Sequence, residues 1–271
     1  MKTKEDADCS TNRKSKKLAM KKAATILVLS LSIFLSSCDI LTQVATTVAS
    51  SESSLSSQQV AQGLKEALKI GTEKAVNQLN KTDGYYLDPL MKINLPPQTA
   101  EIIKYAKKVP GLDKMIEDVI LQINRSAEDA AAQAKPIVVN AITSMSISDA
   151  WGILKGADTA ATVYLKGKTF NPLVDLYKPI INKSLDKPIV AGISANKSWN
   201  ELTGKWNQFA GSIAGKLLGV SPLNSSLNEY VTSQALKGLF IKVEDQEKKI
   251  RTDISARTSD LLKRVFGQQD S

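Results

Sequence analysis

Apolar residues recur at intervals of three and four along most of the chain beyond residue 57, and this spacing constrains the fold more than any other feature. It is the period of one face of an α-helix. No pair of alternating stretches joined by hairpin residues stands out. Hydrophobic residues make up 42% of the chain and aromatic residues only 5%, which favours an aliphatic helical interior. The sequence therefore predicts an all-α fold.

Capping residues, glycines and prolines predict where the helices begin and end. A first helix follows a capping box of Ser56 and Gln59 and ends near Asn80, before a long loop over residues 85–97. Pro136 is predicted to open a new helix. Further capping boxes are Ser198/Glu201 and Ser226/Glu229, and Asp253 is expected to cap the last helix. Shorter stretches divided at Gly156, Gly167 and Thr169 complete the predicted set, which covers residues 58–80, 112–134, 136 onward, 147–155, 158–166, 171–182, 199–217, 227–243 and 254–266.

The N-terminal region has the order of a secretory signal. Lys21 and Lys22 precede an apolar stretch over residues 23–35, and the small residues Ser36 and Ser37 follow it. A stretch of 13 residues is shorter than the roughly 20 that span a bilayer. A buried core helix is the alternative, but the stretch is apolar on every face. Residues 1–37 are therefore predicted to be a signal peptide, with Met20 as an alternative start.

The four residues 35–38, Leu-Ser-Ser-Cys, resemble the lipobox of bacterial lipoprotein signals. The resemblance implies that the thiol of Cys38 carries a diacylglyceryl group and that the mature chain begins there. A free or disulfide-forming Cys38 is the alternative. Residues 38–57, rich in Ser and Thr, are expected to be a flexible tether. The predicted location is the cell envelope, facing the periplasm or the exterior. Asp39, the residue after the cysteine, does not decide between the inner and the outer membrane.

The charge and the rare residue types exclude several classes of function. Residues 1–37 hold eight Lys/Arg and three Asp/Glu, so only about +4 of the net charge of +9 belongs to the rest of the chain, and no nucleic-acid partner is expected. The chain has no histidine, and its two cysteines are Cys9 and Cys38. Histidine-dependent catalytic triads and zinc sites are therefore excluded. No cofactor or metal site is predicted, because calcium and phosphate loops are also absent from the sequence.

Two acidic residues are the first candidates for chemistry. Glu66 and Glu73 lie two turns apart on one face of the first predicted helix, and paired carboxylates can hydrolyse glycans without histidine. Solvated surface acids explain the same spacing. Trp199 and Trp206 share a helical face that suits either a membrane surface or the core, and core packing is preferred.

Two polar groups interrupt apolar helices and are candidates for lining a pocket. Asn124 and Arg125 lie beside Glu128, at the spacing of an ion pair within a helix. Arg251 and Arg257 flank Asp253 and have the chemistry to clamp a carboxylate or a phosphate. Ion pairs and caps on the flanks of helices are the preferred interpretation of both groups.

Several segments, in order, resemble the bacterial family catalogued as domain of unknown function 4197. The resemblance covers about residues 58–267 and implies a largely helical single domain without an assigned reaction. Ser126 departs from the small apolar residue usual there. The matching segments are Gly63–Glu73, Asn124–Glu128, Lys135-Pro136, Gly152–Leu154, Asp158–Thr162, Tyr230–Thr232, Ala235–Phe240, Ala256–Thr258 and Leu261-Leu262.

Together these features predict one helical domain over residues 58–267, followed by a short tail over residues 268–271. The leading functional hypothesis is a lipid-anchored binding or envelope-associated module without catalysis, which meets an unidentified protein or small molecule. The alternatives are a histidine-free Glu/Asp hydrolase acting on an envelope substrate and a carrier of an apolar ligand. Convergent carboxylates in a cleft favour the hydrolase, and a deep apolar pocket favours the carrier.

Overall fold

Four long helices carry most of the apolar residues with helical spacing. The structure, a computed structural model, describes residues 54–270. Within that range there is no β-strand, only an isolated antiparallel bridge between Val190 and Ile193. The prediction of an all-α fold is confirmed. The α-helices are α1 (Ser57–Leu79), α2 (Ala100–Tyr105), α3 (Leu112–Ser144), α4 (Ala150–Leu154), α5 (Ala160–Asp186), α6 (Ala195–Gly211), α7 (Ile213–Leu217), α8 (Leu227–Thr252) and α9 (Asp260–Phe266).

Helices α1, α3, α5 and α8 form a closed ring. Each packs against two neighbours, so that α1 contacts α3 and α8, and α5 contacts the same two helices from the other side. Helix α6 covers α3 and α5, while α4 and α9 pack against α1. The buried core runs from Leu55 to Phe266, and residues 55–271 form one compact unit. This segment contains the core and the helix caps that it needs to fold by itself.

Helix α1 begins as the sequence predicts. The Ser56 hydroxyl accepts a hydrogen bond from the Gln59 amide at 3.2 Å, and the Gln59 side chain accepts one from the Ser56 amide at 2.9 Å. Leu55 is already buried, at the end of the predicted tether. Val60 and Leu64 then point inward on the apolar face. The capping box is confirmed, and it fixes where the packed chain starts.

Pro136 does not open a new helix, which corrects the sequence prediction. It lies inside α3, which continues unbroken for 33 residues. A proline removes one backbone hydrogen bond within a helix. Here Ala134 and Val138 are buried on either side of it, while Pro136 itself is exposed. Burial of the apolar face on both sides offsets the missing hydrogen bond.

The predicted helices over residues 158–166 and 171–182 are also one helix, α5. Gly167 lies in its interior with open space around it, and the Thr169 hydroxyl donates to the Leu165 carbonyl one turn earlier. The helix also contains Pro172 and Pro179. Gly167 and Thr169 predict a break here, but the buried apolar stripe holds the helix together across them. The stretch predicted over residues 147–155 shortens to α4, which Asp149 caps.

The caps of two later helices differ from the predictions. Ser194, not Ser198, caps α6, since its hydroxyl accepts a hydrogen bond from the Lys197 amide at 3.2 Å. Asp253 caps a 3₁₀ turn over Ile254–Ala256, and Ser259 caps the last α-helix. In both cases a second capping residue lies a few positions from the predicted one. Ser226 does cap α8.

Trp199 and Trp206 are buried, as the preferred interpretation expected. Their indole N–H groups donate to the carbonyls of Ser225 and Ser221, at 2.8 and 3.0 Å. These bonds satisfy the polar end of each indole. The two side chains fix the loop after α7 to α6.

Replacing Gly167 with alanine tests whether α5 is continuous. Alanine is about 0.5–1 kcal/mol better than glycine inside a helix, and nothing lies near the added methyl group, so Gly167→Ala should stabilise the protein by about that amount. Gly63→Ala in α1 makes the same substitution and should have the opposite effect on stability. Its methyl group would lie 2.7 Å from a methyl of the buried Val265, so we expect a loss of about 1–2 kcal/mol. Urea unfolding of residues 54–271 measures both. A loss of stability in Gly167→Ala would contradict a continuous helix.

Candidate functional site

Asn124 holds a loop against helix α3. Its side-chain oxygen accepts a hydrogen bond from the Ile93 amide at 2.9 Å, and its side-chain nitrogen donates to the Ile93 carbonyl at 2.8 Å and to the Ile120 carbonyl at 2.7 Å. Asn124 is fully buried. The Asn124 side chain therefore bonds to the amide and the carbonyl of the loop backbone as a neighbouring β-strand would. All of these hydrogen bonds are made within the domain.

Arg125 and Glu128 form the ion pair that their spacing predicts, at 2.7 Å. The second nitrogen of Arg125 pairs with Asp83 at 2.7 Å. The other oxygen of Glu128 accepts hydrogen bonds from the amides of Tyr85 and Tyr86, both at 3.1 Å. These residues therefore bind the start of the same loop, which runs from Asp83 to Leu95.

Tyr85 attaches this loop to the opposite helix of the ring. Its ring is buried, and its hydroxyl donates to the Ala235 carbonyl of α8 at 2.9 Å. Burial, together with the negative charge of Glu128, raises the pKa of the Tyr85 hydroxyl well above its ordinary value. The hydroxyl therefore stays protonated as a donor. Asn124, Arg125 and Glu128 thus hold the loop in place.

The carboxylate of Glu247 is buried and caps helix α5 from another helix. It accepts hydrogen bonds from the amides of Ala161 and Thr162, at 3.0 and 2.7 Å, and from the Thr162 hydroxyl at 2.6 Å. Thr159, the residue at the cap position itself, makes no such bond. A negative charge is favourable at this end of a helix. Glu247 thus replaces the local cap.

Arg251 neutralises Glu247 and binds the end of α4. Its guanidinium lies 2.8 Å from the carboxylate and donates to the carbonyls of Leu154 and Ile153, at 2.6 and 3.2 Å. The two side chains are 2% and 1% exposed. The pair therefore joins α8 to the start of one helix and the end of another.

Arg257 does clamp a carboxylate, but one that belongs to the chain itself. Its two terminal nitrogens pair with the two oxygens of Asp270, one of them at 2.7 Å. The same side chain donates to the carbonyls of Ile250 and Arg251, both at 2.9 Å. Asp253 binds the Ser255 amide instead. The two arginines therefore form no open anion site together.

Glu66 and Glu73 do not meet in a cleft. Glu73 is half exposed and pairs with Lys135 at 2.5 Å. Glu66 is partly exposed and makes no side-chain hydrogen bond within residues 54–270. The two glutamates are therefore arranged as acids on the protein surface.

An open cavity lies between the C-terminal end of α3 and the first half of α5, and we name it the α3–α5 groove. Its volume is about 790 Å³. Its lining includes the buried side chains of Met145 and Leu173 and that of Leu176, which is 60% exposed. The residues that line it are Ile137, Asn140, Ala141, Ser144, Met145, Ser146, Ser148, Tyr164, Lys168, Thr169, Pro172, Leu173 and Leu176.

The polar groups of the groove are hydroxyls, an amide and one charge. Lys168 is the single charged residue in its lining, which contains no Asp or Glu. The Lys168 ammonium lies 5.8 Å from the centre of the Tyr164 ring, and the Tyr164 hydroxyl donates to the Ser146 carbonyl at 3.0 Å. Pro172 also leaves the Lys168 carbonyl without its helical partner. The groove lining therefore combines apolar side chains with one cation and several hydrogen-bonding groups.

The sequence did not single out the groove or Glu247. Glu247 had a detectable signal, because an acid four residues before Arg251 lies on the apolar face shared with Val243 and Ile250. The groove had none, since it exists only where two helices pair. Within the described part of the chain, no three acidic residues or cysteines come together as a metal site, and no helix is long and apolar enough to cross a membrane.

Removing the Glu247 carboxylate should strongly destabilise the protein. Glu247→Ala leaves the buried Arg251 charge without its counter-charge and two buried amides without an acceptor, which costs about 3–5 kcal/mol. Asp245→Ala on the exposed face of the same helix is the control and should change stability by less than about 0.5 kcal/mol. Chemical unfolding of residues 54–271 gives both values. Equal stability of the two variants would contradict a structural role for the Glu247 carboxylate.

Comparison with known proteins gives a family and nothing narrower. The model of the family described as proteins of unknown function (DUF4197) matches residues 54–267. No curated protein and no solved structure matches the chain. The match spans the ring of four helices, both buried ion-pair networks and the groove. It confirms the resemblance seen in the sequence segments, and the chain belongs to the DUF4197 family.

Proposed function

We propose that this protein is a lipid-anchored binding module of the cell envelope, without catalysis, and that its ligand is an amphiphilic small molecule held in the α3–α5 groove. The observation that carries the proposal is the groove itself. It is an open, mostly apolar cavity in a domain whose polar candidates Asn124, Arg125, Glu128, Arg251 and Arg257 bind other groups of the fold.

The size of the groove suits a small molecule. Ligand cavities commonly measure roughly 300–1,000 Å³, and this one measures about 790 Å³. The apolar side chains of Met145, Leu173 and Leu176 offer contact to an aliphatic chain. A ligand that covered Leu176 would also remove an exposed apolar side chain from water.

The charge of the groove indicates which polar end the ligand has. Lys168 is the one charge in the lining, and Ser146 and Ser148 line the same cavity. A carboxylate or a phosphate would pair with the ammonium and accept hydrogen bonds from the hydroxyls. An aliphatic chain with an anionic end therefore matches both the apolar side chains and the charged residue of the groove.

The anchor part of the proposal rests on residues outside those the structure describes. The signal peptide over residues 1–37, the lipidated Cys38 and most of the tether over residues 38–57 all lie there. The lipobox-like sequence supports them. A tether of about 20 residues would have a root-mean-square reach of roughly 25 Å, which would hold the domain near a membrane surface.

Binding of cis-parinaric acid, a fluorescent fatty acid, tests the groove. Residues 54–271 should bind it saturably. Leu176→Glu should weaken binding at least tenfold, because it removes apolar contact and adds a charge of the ligand's sign. Lys168→Gln should weaken binding of the acid about two- to fivefold and leave its methyl ester unaffected, since an exposed ion pair contributes little.

Leu90→Glu is the matched control, because Leu90 is equally apolar, lies on the loop and is 77% exposed. It should bind the acid like the wild type. Absence of saturable binding by the wild type would overturn the groove as a ligand site. Turnover of a cell-wall or lipid substrate that Glu66→Gln or Glu73→Gln abolishes would support the hydrolase instead.

Incorporation of labelled palmitate tests the anchor. The full chain expressed in bacteria should become labelled and should fractionate with membranes, while Cys38→Ala should be unlabelled. Cys9→Ala, which alters the other cysteine, is the control and should be labelled normally. An unlabelled wild type would rule out the lipid anchor, without bearing on the groove.

A further inference from the structure

The short helix α7 projects its apolar side chains into solvent. Ile213 and Leu217 are 81% and 83% exposed, and the adjacent Leu218 is 41% exposed. They belong to the stretch Gly211–Val220, in which Lys216 is the single charged residue. Exposed aliphatic side chains grouped in this way are unusual on a soluble surface and mark an interaction site.

Hydrogen bonds fix the backbone of α7, although its apolar side chains are exposed. The Ser212 hydroxyl caps α7 through the Gly215 amide at 3.1 Å, and Gly219 turns the chain with a φ of +66°. The Val220 amide then donates to the Gly215 carbonyl at 3.2 Å. Ile213 and Leu217 are therefore displayed by a fixed backbone, which lowers the entropy lost when they are buried.

Lysines occupy the same end of the domain. The loop after α7 joins α2 through a hydrogen bond from the Ser221 amide to Glu101 at 3.2 Å. Tyr105 stacks on Trp206 of α6 with ring centres 6.5 Å apart, and the ammonium groups of Lys104 and Lys108 each lie 5.2 Å from the Tyr105 ring.

The two segments that form this surface carry more lysines than acids. Residues 100–114 and 202–221 together hold six lysines against two acids, Glu101 and Asp113. One of those acids, Glu101, already accepts the hydrogen bond from Ser221. The six lysines are Lys104, Lys107, Lys108, Lys114, Lys205 and Lys216.

We propose that this surface, Ile213, Leu217 and Leu218 with the surrounding lysines, docks the folded domain onto an anionic lipid bilayer. The aliphatic side chains would enter the boundary between headgroups and acyl chains, while the lysines extend to the lipid phosphates. A second copy of the chain fits less well, because like-charged lysines would face each other. The docking surface is separate from the Cys38 anchor and from the groove.

Co-sedimentation with vesicles tests the proposal with residues 54–271, which lack Cys38 and the apolar stretch over residues 23–35. The fragment should bind vesicles of phosphatidylcholine and phosphatidylglycerol at 3:1, bind pure phosphatidylcholine weakly, and dissociate as salt rises. Ile213→Ser with Leu217→Ser should lower the partition coefficient at least tenfold. Lys104→Gln with Lys108→Gln should lower it about 25-fold, since each lysine near an anionic surface contributes about fivefold.

Leu87→Ser with Leu90→Ser is the matched control, because both leucines are more than 60% exposed on the loop after α1. It should bind like the wild type. A second measurement reports insertion directly. The fragment has no cysteine of its own, so a fluorophore that senses polarity can be attached at Leu217→Cys, where its emission should shift to the blue on anionic vesicles, and at Leu90→Cys, where it should not.

Failure of the wild-type fragment to bind anionic vesicles would overturn the proposal, as would equal binding by the Ile213/Leu217 variant and the control. A dimer in solution that the Ile213/Leu217 variant abolishes, without vesicle binding, would assign the surface to a second copy. None of these outcomes depends on whether Cys38 is lipidated or whether the groove binds a fatty acid.

Discussion

The buried carboxylate of Glu247 is the interaction on which the arrangement of the helices depends. It lies on α8, caps α5 across the ring and holds Arg251, which in turn binds the end of α4. A buried ion pair contributes little net stability compared with apolar packing, but breaking it is costly. Its effect is therefore to select one arrangement. Glu247 fixes the start of α5, and Arg251 fixes the end of α4. Apolar contact alone would allow these helices to slide, and the two charged groups hold them in one register.

A second polar network, on the other side of the ring, also fixes the arrangement of the fold. Asn124, Arg125 and Glu128 bind the loop between α1 and α2, and Tyr85 carries that loop to α8. Polar residues in an apolar helix are often taken as signs of chemistry. In this fold their donors and acceptors are paired with backbone groups and with one another. The proposed ligand site and docking surface therefore lie elsewhere, in the α3–α5 groove and on α7.

The sequence predicted the helical class and the first cap, because Ser56 and Gln59 signal locally and the apolar period repeats over many turns. It failed at Pro136 and Gly167, where local signals for a break are weaker than burial on both sides. It identified Arg125 and Glu128 as a pair but not their loop partner, since Asp83 is 42 residues away. The groove and the lysine-rich end are unpredictable for the same reason: each is formed by segments distant in the chain.

Weak surface docking becomes effective when a domain is already tethered. A flexible linker of about 20 residues gives a local concentration on the order of millimolar, so a surface with millimolar affinity for lipid would be about half occupied. Alone, the same surface would rarely be bound. An amphiphilic ligand is also scarce in water and abundant in a bilayer, and a groove held at that surface meets it far more often. The proposed anchor, docking surface and ligand groove would thus reinforce one another, because each would raise the occupancy of the next.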